Sequence, residues 1–314
     1  MEKAPDSKKT RLGRLLAGLL AALALLFCLL ATFFPGGGIP SWRQIFSFFG
    51  VSDFTAAADG VPLSVHVLDV GKADCIYIEA GEHRLLIDAG DRAATPKVTE
   101  YLKRRGVERL DLVLATHPDK DHIGGMADVL RNFAVERFFM PELPEELIPT
   151  SRSYEEMLLA LEETGVRVQR PSVGEVLTFG QASLHVLAPG TFFPESSNDN
   201  SVVCRLVFGE ISFLFMGDAE EPAEEALLSS GQALASTVLK VGHHGSNTST
   251  TQALLSAVQP RYAVISVGED ENNLPKNKVL KRLTANQIPF YRTDLNGTVL
   301  FLTDGKDLKI ETER

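Results

Sequence analysis

The sequence predicts an α/β (α+β) fold, two mostly antiparallel sheets packed together with helices outside, preceded by one transmembrane helix. Three observations carry this. From Pro62 onward, short apolar runs of strand length alternate with amphipathic helical patterns. The strand-like runs outnumber the helical ones and come in meanders. Ahead of them, residues 15–34 form a nearly unbroken apolar run, LLAGLLAALALLFCLLATFF.

Composition bounds the function classes. The 314 residues allow one large domain or two small ones. Hydrophobic residues at 44% and charged residues at 23% are ordinary globular usage, which excludes a disordered or collagen-like chain. Three cysteines exclude a disulfide scaffold and a Cys-rich zinc or iron–sulfur module. The formal net charge of -10 is uneven. Residues 1–14 hold five bases against two acids, and the remainder holds 26 bases against 39 acids, a balance of -13. A domain that acidic is a poor generic nucleic-acid binder, so an anionic substrate calls for a local basic patch or a metal.

The N-terminal region reads as a membrane anchor. No charge occurs between Arg14 and Arg43. Twenty residues at ~1.5 Å rise span about 30 Å, the thickness of a bilayer's hydrocarbon core. The run has no polar face, which argues against a buried helix of a soluble protein. Basic residues precede it, so residues 1–14 are expected in the cytoplasm and the rest outside it. The alternative is a signal peptide, with the protein secreted after cleavage at the distant Ala56–Ala58 run. Residues 35–61 read as a linker with an interfacial segment bearing Trp42, Phe46, Phe48, Phe49 and Phe54. Residues 62–314 form the main domain.

In that domain LSVHVLDV, CIYIEAGE and HRLLIDAGD read as three strands with tight connections. A helix follows over Thr95–Arg105. DLVLATHP is a buried strand leading into a helix over DHIGGMADVLRNF, and VERFFMP is a further strand. SYEEMLLALEETG is an amphipathic helix ending at Gly165. Strands VRVQRP, EVLTFG, ASLHVLAPG, SVVCRLVFGE and ISFLFMGD come next. The helix AEEALLSSG, strand STVLKVGHH, helix TSTTQALLSAVQ, strand RYAVISVG, a helix near Lys278–Asn286, and strands TVLFLTDG and LKIETE complete the domain.

Two short motifs hold four of the seven histidines. His117-Pro-Asp119-Lys-Asp121-His122, followed by Ile-Gly-Gly, puts two imidazoles and two carboxylates in six residues at a strand-to-helix junction. Capping a helix needs one acid and no histidine. Mixed nitrogen and oxygen donors suit zinc, manganese or iron(II) better than calcium. Val-Gly-His243-His244-Gly-Ser246 follows another apolar strand. Adjacent side chains of an extended chain point to opposite faces, so one histidine is expected at a metal and the other at a substrate or supporting position. Asp218 ends the run ISFLFMGD, where it either joins the site or caps the next helix. His66 and His185 sit inside strands and read as structural, and His83 as a hairpin residue.

Together LDVGKADCIYI, LLIDAGD, THPDKDHIGGM, NDNSVVCRLVFG, FLFMGDAE, LKVGHHGSNTS, VISVG and YRTDLNGTV resemble metallo-β-lactamase-fold hydrolases. More narrowly they resemble the extracytoplasmic hydrolase domain of ComEC-type DNA-uptake proteins, over about residues 63–310. The resemblance implies a four-layered αββα sandwich with its metal site at one edge. It implies one or two divalent ions, zinc or manganese, held by His117, Asp119, Asp121, His122, Asp218 and His243. Asp119 or Asp121 would orient the attacking water; which of His243 and His244 binds metal stays open, and the one left free of it, His244 where His243 is the ligand, would protonate the leaving group. Asp74, Asp88, Asn200, Lys240, Ser246 and Asp294 fall in the matching stretches and are expected to support the ligands or touch substrate.

There are departures. NDNS stands where a further ligand histidine is expected, Asn273-Leu274-Pro275 where relatives often read Gly-His-Pro, and Val70-Gly71-Lys72-Ala73-Asp74 where they read VGQGD. The first function implied is a membrane-anchored, extracytoplasmic phosphodiesterase or nuclease-like enzyme, with DNA or another phosphodiester as partner. The alternatives are a hydrolase of a carboxylic ester, lactone or amide, and a non-catalytic binding domain with a degenerate site.

Overall fold

The computed structural model describes residues 18, 21, 26–28, 54–269 and 271–314. The basic N-terminus, the expected anchor and most of the linker lie outside the described residues. The exceptions are helical, exposed Gly18, Ala21 and Leu26–Cys28 and the 3-10 turn Phe54–Ala58. Among the described residues, no helix is long and apolar enough to cross a membrane. The chain divides into two compact units, Met1–Ala57 and Ala58–Arg314, and the site lies in the second.

The first half of that unit runs β1 (Leu63–Val67), β2 (Ile76–Ala80), β3 (His83–Ile87), α1 (Thr95–Arg104), β4 (Arg109–Leu110), β5 (Leu112–Leu114), α2 (Lys120–Ile123), α3 (Met126–Asn132), β6 (Ala134–Val135), β7 (Phe138–Phe139), α4 (Arg152–Thr164) and β8 (Val168–Gln169). The second runs β9 (Val176–Phe179), β10 (Ala182–Ala188), β11 (Val203–Phe208), β12 (Ile211–Phe215), α5 (Glu221–Ser229), β13 (Val238–Lys240), α6 (Gln252–Val258), β14 (Tyr262–Ile265), α7 (Asn277–Ala285), β15 (Phe290–Arg292) and α8 (Thr293–Asn296). The last hairpin, β16 (Val299–Thr303) and β17 (Leu308–Thr312), returns to the first sheet beside β1.

One sheet has the order β17-β16-β1-β2-β3-β5-β7-β8 and the other β15-β14-β13-β12-β11-β10-β9; β4 and β6 form a small separate pair. Strand alternation builds the layers. Val65 and Val67 of β1 and Phe301 of the adjacent β16 join Phe213 and Phe215 of β12 in a core between the sheets, while Ser64 and His66 point the other way. Burying each of those rings contributes roughly 1.5–3 kcal/mol. A second core lies between the first sheet and α1, α3 and α4, and a third between the second sheet and α5, α6 and α7. The expected four-layer αββα sandwich is thus present.

The expected antiparallel bias is not. In the first sheet β3, β5, β7 and β8 pair in parallel, and in the second β12, β13, β14 and β15 do. The intervening helices are crossovers, and a crossover returns the chain to run beside the strand it left. The helix expected over DHIGGMADVLRNF is two helices, and VERFFMP is a two-residue strand with Ala134–Val135 pairing on β4. The α4 ends follow the sequence signals: Ser151 Oγ accepts from Tyr154 N–H at 3.3 Å, and Gly165 closes the helix at φ 70°.

The break between α2 and α3 is a close backbone approach. A Cβ on Gly124 would sit 2.3 Å from the Arg92 nitrogen, and one on Gly125 2.4 Å from the Ala89 oxygen. Without side chains there, Ala89 N–H donates to the His122 carbonyl at 2.7 Å. Gly125→Ala is therefore expected to destabilise by about 1–3 kcal/mol, the usual range for overpacking, read as a lower thermal midpoint. An unchanged midpoint would refute the close-approach account.

His66 offers a pH test. It is fully buried, bonded to Ser64 Oγ at 2.7 Å and Tyr101 Oη at 2.6 Å, and burial pushes its pKa down to about 3. The unfolded chain binds this proton near pH ~6.5, the folded chain only near the lower value. The stability contributed by neutral His66 is thus full above the unfolded pKa and is lost as pH falls through the folded one. Urea midpoints measured between about pH 7 and pH 4 should fall less steeply for His66→Gln than for wild type. Parallel slopes would remove His66 from the acid response.

Candidate metal centre

Most of the candidate residues lie just beyond the carboxyl ends of strands that pair in parallel, while Asp74 lies in the loop between β1 and β2. Asp88 follows β3, Thr116 and His117 follow β5, Asp218 follows β12, and His243 and His244 follow β13. In parallel α/β sheets this edge is where loops converge and ligands bind. Here the edges of both sheets contribute to one cluster.

His122 is its hub. Its ring is fully buried, with Nδ1 2.7 Å from Asp88 Oδ2 and Nε2 3.3 Å from Asp218 Oδ1. Asp88 can reach it because its backbone is left-handed, at φ 57°. The same carboxylate accepts the Thr116 N–H at 2.8 Å and its hydroxyl at 2.7 Å. With Nδ1 donating to Asp88, Nε2 keeps the lone pair for the cluster, the arrangement that orients a metal-binding histidine. Without an ion, the Asp218 and Asp88 carboxylates outweigh the burial that opposes a charge on His122 and raise its pKa well above the usual histidine value; an ion at Nε2 would take the place of that proton.

His117 is also fully buried, its ring centroid 4.1 Å from that of His122. Its Nε2 lies 3.9 Å from Asp218 Oδ2 and 3.9 Å from Asp119 Oδ2. Burial and the neighbouring His122 push its pKa down, which keeps it neutral. Asp218 is positioned through its backbone, whose N–H donates to Ser201 Oγ at 3.2 Å. Burial would raise its pKa, but His122 and His244 hold it well below the carboxylate range.

The paired histidines resolve differently from the extended-chain expectation. Gly242–Gly245 is a tight turn in which His243 and His244 have φ 46° and 51°. This left-handed path brings both Nε2 atoms near Asp218 Oδ2, His243 at 3.8 Å and His244 at 3.5 Å. His244 is the buried member: Nδ1 donates to the Ser266 carbonyl at 2.9 Å, and Nε2 lies 3.6 Å from Asp121 Oδ2. His243 is 22% exposed, and its Nδ1 donates to Glu220 Oε1 at 2.8 Å.

Among the described residues two donor groups could hold an ion, His117–His122–Asp218 and Asp121–His122–His244, each with its atoms within 4.8 Å of one another. A third, Asp74–Asp88–His122, is engaged internally, because Asp88 serves His122 and Asp74 faces Lys240 at 2.9 Å. The chemistry of the set fits a divalent ion. Asp74 Oδ1, His117 Nε2, His122 Nε2, Asp218 Oδ1 and His244 Nε2 are all buried without a hydrogen-bond partner. Orphaned polar atoms are uncommon and costly, and here five lie together.

The remaining expected residues fall around the cluster. Asp119 is 43% exposed at the start of α2, accepting from Ser197 Oγ at 3.1 Å, and is in neither donor group. Lys240 cannot reach a substrate: it is 1% exposed, bound to Asp74 and to the Val241 carbonyl at 2.9 Å. Asn200 holds its own loop through the Phe193 and Ser196 carbonyls. Ser246 bonds Thr248 at the rim, and Asp294 pairs with Arg292 outside the cluster. Sequence reasoning missed the supporting roles of Thr116, Ser201, Glu220 and Lys72. Thr116 precedes His117 and Glu220 follows Asp218 by two residues, but neither type signals a site alone.

A family model described as the metallo-beta-lactamase superfamily matches residues 68–269. The chain is 30% identical over 256 residues to ComE operon protein 3 of Bacillus subtilis, covering 76% of this chain and 32% of that protein. It is 30% identical over 285 residues to competence protein ComA of Neisseria gonorrhoeae, covering 90% and 38%. The chain thus spans about a third of the length of these curated relatives. Among solved structures, the metallo-beta-lactamase fold protein YhfI of Bacillus subtilis superposes with a TM-score of 0.52 at 12% identity, covering 76% of this chain and 99% of that one. CmlA, a diiron β-hydroxylase of Streptomyces venezuelae, gives 0.51 at 14%, covering 84% and 60%. These structures share the fold. With that fold, the matched stretch and the Asp/His cluster at the strand ends in agreement, the chain belongs to the metallo-beta-lactamase superfamily.

Proposed function

We propose that the chain is a membrane-anchored, extracytoplasmic, metal-dependent hydrolase of phosphodiesters. The observation that carries the catalytic part is the convergence of buried, unpartnered nitrogen and oxygen atoms of His117, His122, Asp218 and His244 at one strand edge. Neutral imidazole and carboxylate donors suit zinc or manganese. His117, His122, Asp218, Asp121 and His244 would hold one or two such ions. When bound, a divalent ion supplies Lewis acidity and a nucleophile at neutral pH.

This chain's residues supply the rest. Asp88 fixes the His122 tautomer, and the Ser266 carbonyl fixes that of His244. Asp119, on the open side and 3.9 Å from His117 Nε2, is placed to orient water and accept its proton. His243 is oriented by Glu220 and half-buried, with Nε2 toward Asp218, so it is placed to protonate a leaving group. Likeness to competence-type relatives supports a phosphodiester substrate, and the apolar run at 15–34 supports the anchor.

The test is turnover of bis(p-nitrophenyl) phosphate and of p-nitrophenyl acetate by the full chain in detergent. It is run before chelation, after it, and after manganese or zinc is restored. Phosphodiester turnover that chelation abolishes and metal restores, and that His122→Ala removes, is the expected result. Asp88→Asn should weaken metal affinity by about 10–100-fold, the usual cost of losing a carboxylate behind a ligand histidine. Turnover of the acetate ester alone would point to an ester or lactone substrate. No bound metal and no turnover would leave a binding domain.

A further inference from the structure

We propose that Lys72 is a built-in cation of this centre, its ammonium standing on Asp121 in place of a second divalent ion, so that the site holds a single ion on the His117–His122–Asp218 side. The inference rests on the metal-centre reading above. It deepens that reading by fixing the ion count from this chain's own residues.

The first observation is contact. Lys72 Nζ pairs with Asp121 Oδ2. That oxygen is the one 3.6 Å from His244 Nε2, so the ammonium stands on the Asp121 oxygen that faces the His244 member of the Asp121–His122–His244 group. A divalent ion and an ammonium on one oxygen repel.

The second is that the backbone holds Lys72 there. Gly71 turns the chain at φ 81°, and Ala73 N–H returns to the Gly71 carbonyl at 2.9 Å. A Cβ on Gly268 would lie 2.6 Å from Gly71 Cα and 2.8 Å from Lys72 N, so the second sheet's loop packs directly on this turn. On the other side Asp74 N–H donates to the Asp121 carbonyl at 3.1 Å, which ties the turn to the helix bearing Asp121. Lys72 itself is only 24% exposed at its side chain.

The third is charge balance among the described residues. Asp74, Asp88, Asp121 and Asp218 are all buried, and Lys72 and Lys240 pair with Asp121 and Asp74. The two carboxylates left over are Asp88 and Asp218, which flank His122. One divalent ion balances them; a second would leave uncompensated positive charge in a buried site, which is costly unless paired.

The experiment is metal content by elemental analysis on the full chain after dialysis against saturating manganese, for wild type, Lys72→Gln and Lys72→Arg. Thermal melts confirm that each is folded. In the same samples the manganese paramagnetic resonance spectrum separates an isolated ion from a coupled pair. Expected are one ion per chain and an isolated-ion spectrum in wild type and Lys72→Arg, and two ions with a coupled spectrum in folded Lys72→Gln. Two ions in wild type, or one in Lys72→Gln, would overturn the role of Lys72 while leaving the metal centre standing. No ion in wild type would overturn both.

Discussion

Four carboxylates are buried side by side where the edges of the two sheets meet, and the rest of the structure around them answers that fact. Asp74, Asp88, Asp121 and Asp218 are at most 8% exposed. A buried, unpaired carboxylate is expensive, so each must be matched by a cation, a hydrogen-bond donor or an ion. Asp74 has Lys240 and Asp121 has Lys72. Asp88 has Thr116 and the His122 ring. Asp218 is faced by the Nε2 atoms of four histidines at 3.3–3.9 Å, yet its Oδ1 and the Nε2 atoms of His117, His122 and His244 have no hydrogen-bond partner. Charge and unfilled lone pairs therefore gather at one place, and a cation is what relieves both.

The sandwich makes that place possible. Parallel strands deliver their carboxyl ends to the same edge, and each of the two sheets has a parallel half. Loops from both sheets can then lean together only if backbone approaches backbone. Gly268 does this across the two sheets, against Gly71, while Gly124 and Gly125 bring two loops of the first sheet together against the segment around Ala89 and Arg92. Asp88, His243 and His244 adopt positive φ although they carry side chains, a conformation that costs on the order of 1 kcal/mol or more each and needs surrounding support. That support is specific: the Leu114 carbonyl takes the Asp88 N–H, and the Ser266 carbonyl takes His244 Nδ1–H.

What the sequence made legible follows from which information is local. Strand and helix positions track periodicity and capping residues within a few neighbours, so α4 between Ser151 and Gly165 was readable. Strand direction is not local, because a parallel pair is defined by where a crossover lands. The sheets therefore read as more antiparallel than they are. The hub of the site was readable, since His117, Asp121, His122 and Asp218 each end or follow an apolar strand. Lys240 misled for the same reason: a lysine beside a motif reads as a substrate contact until the distant Asp74 is seen to bury it. The histidine pair misled because face alternation assumes an extended chain, and two left-handed residues between glycines break it.

That turn also divides labour in a way that bears on mechanism. His244 goes inward, its ring fully buried and its Nδ1 committed to a backbone carbonyl, so its remaining nitrogen can only face the cluster. His243 stays at the rim with Glu220 behind it, and Asp119 stands at the rim near His117. The buried rings of His122 and His244 have their tautomers fixed by Asp88 and the Ser266 carbonyl. The rim set is partly exposed and hydrogen-bonded, His243 to Glu220 and Asp119 to the Ser197 hydroxyl. Proton transfer during a hydrolytic cycle requires groups that exchange protons with water between turnovers. Under the proposed hydrolysis, residues adjacent in sequence would serve opposite needs, one holding charge still and one moving it, and the left-handed turn is the device that separates them.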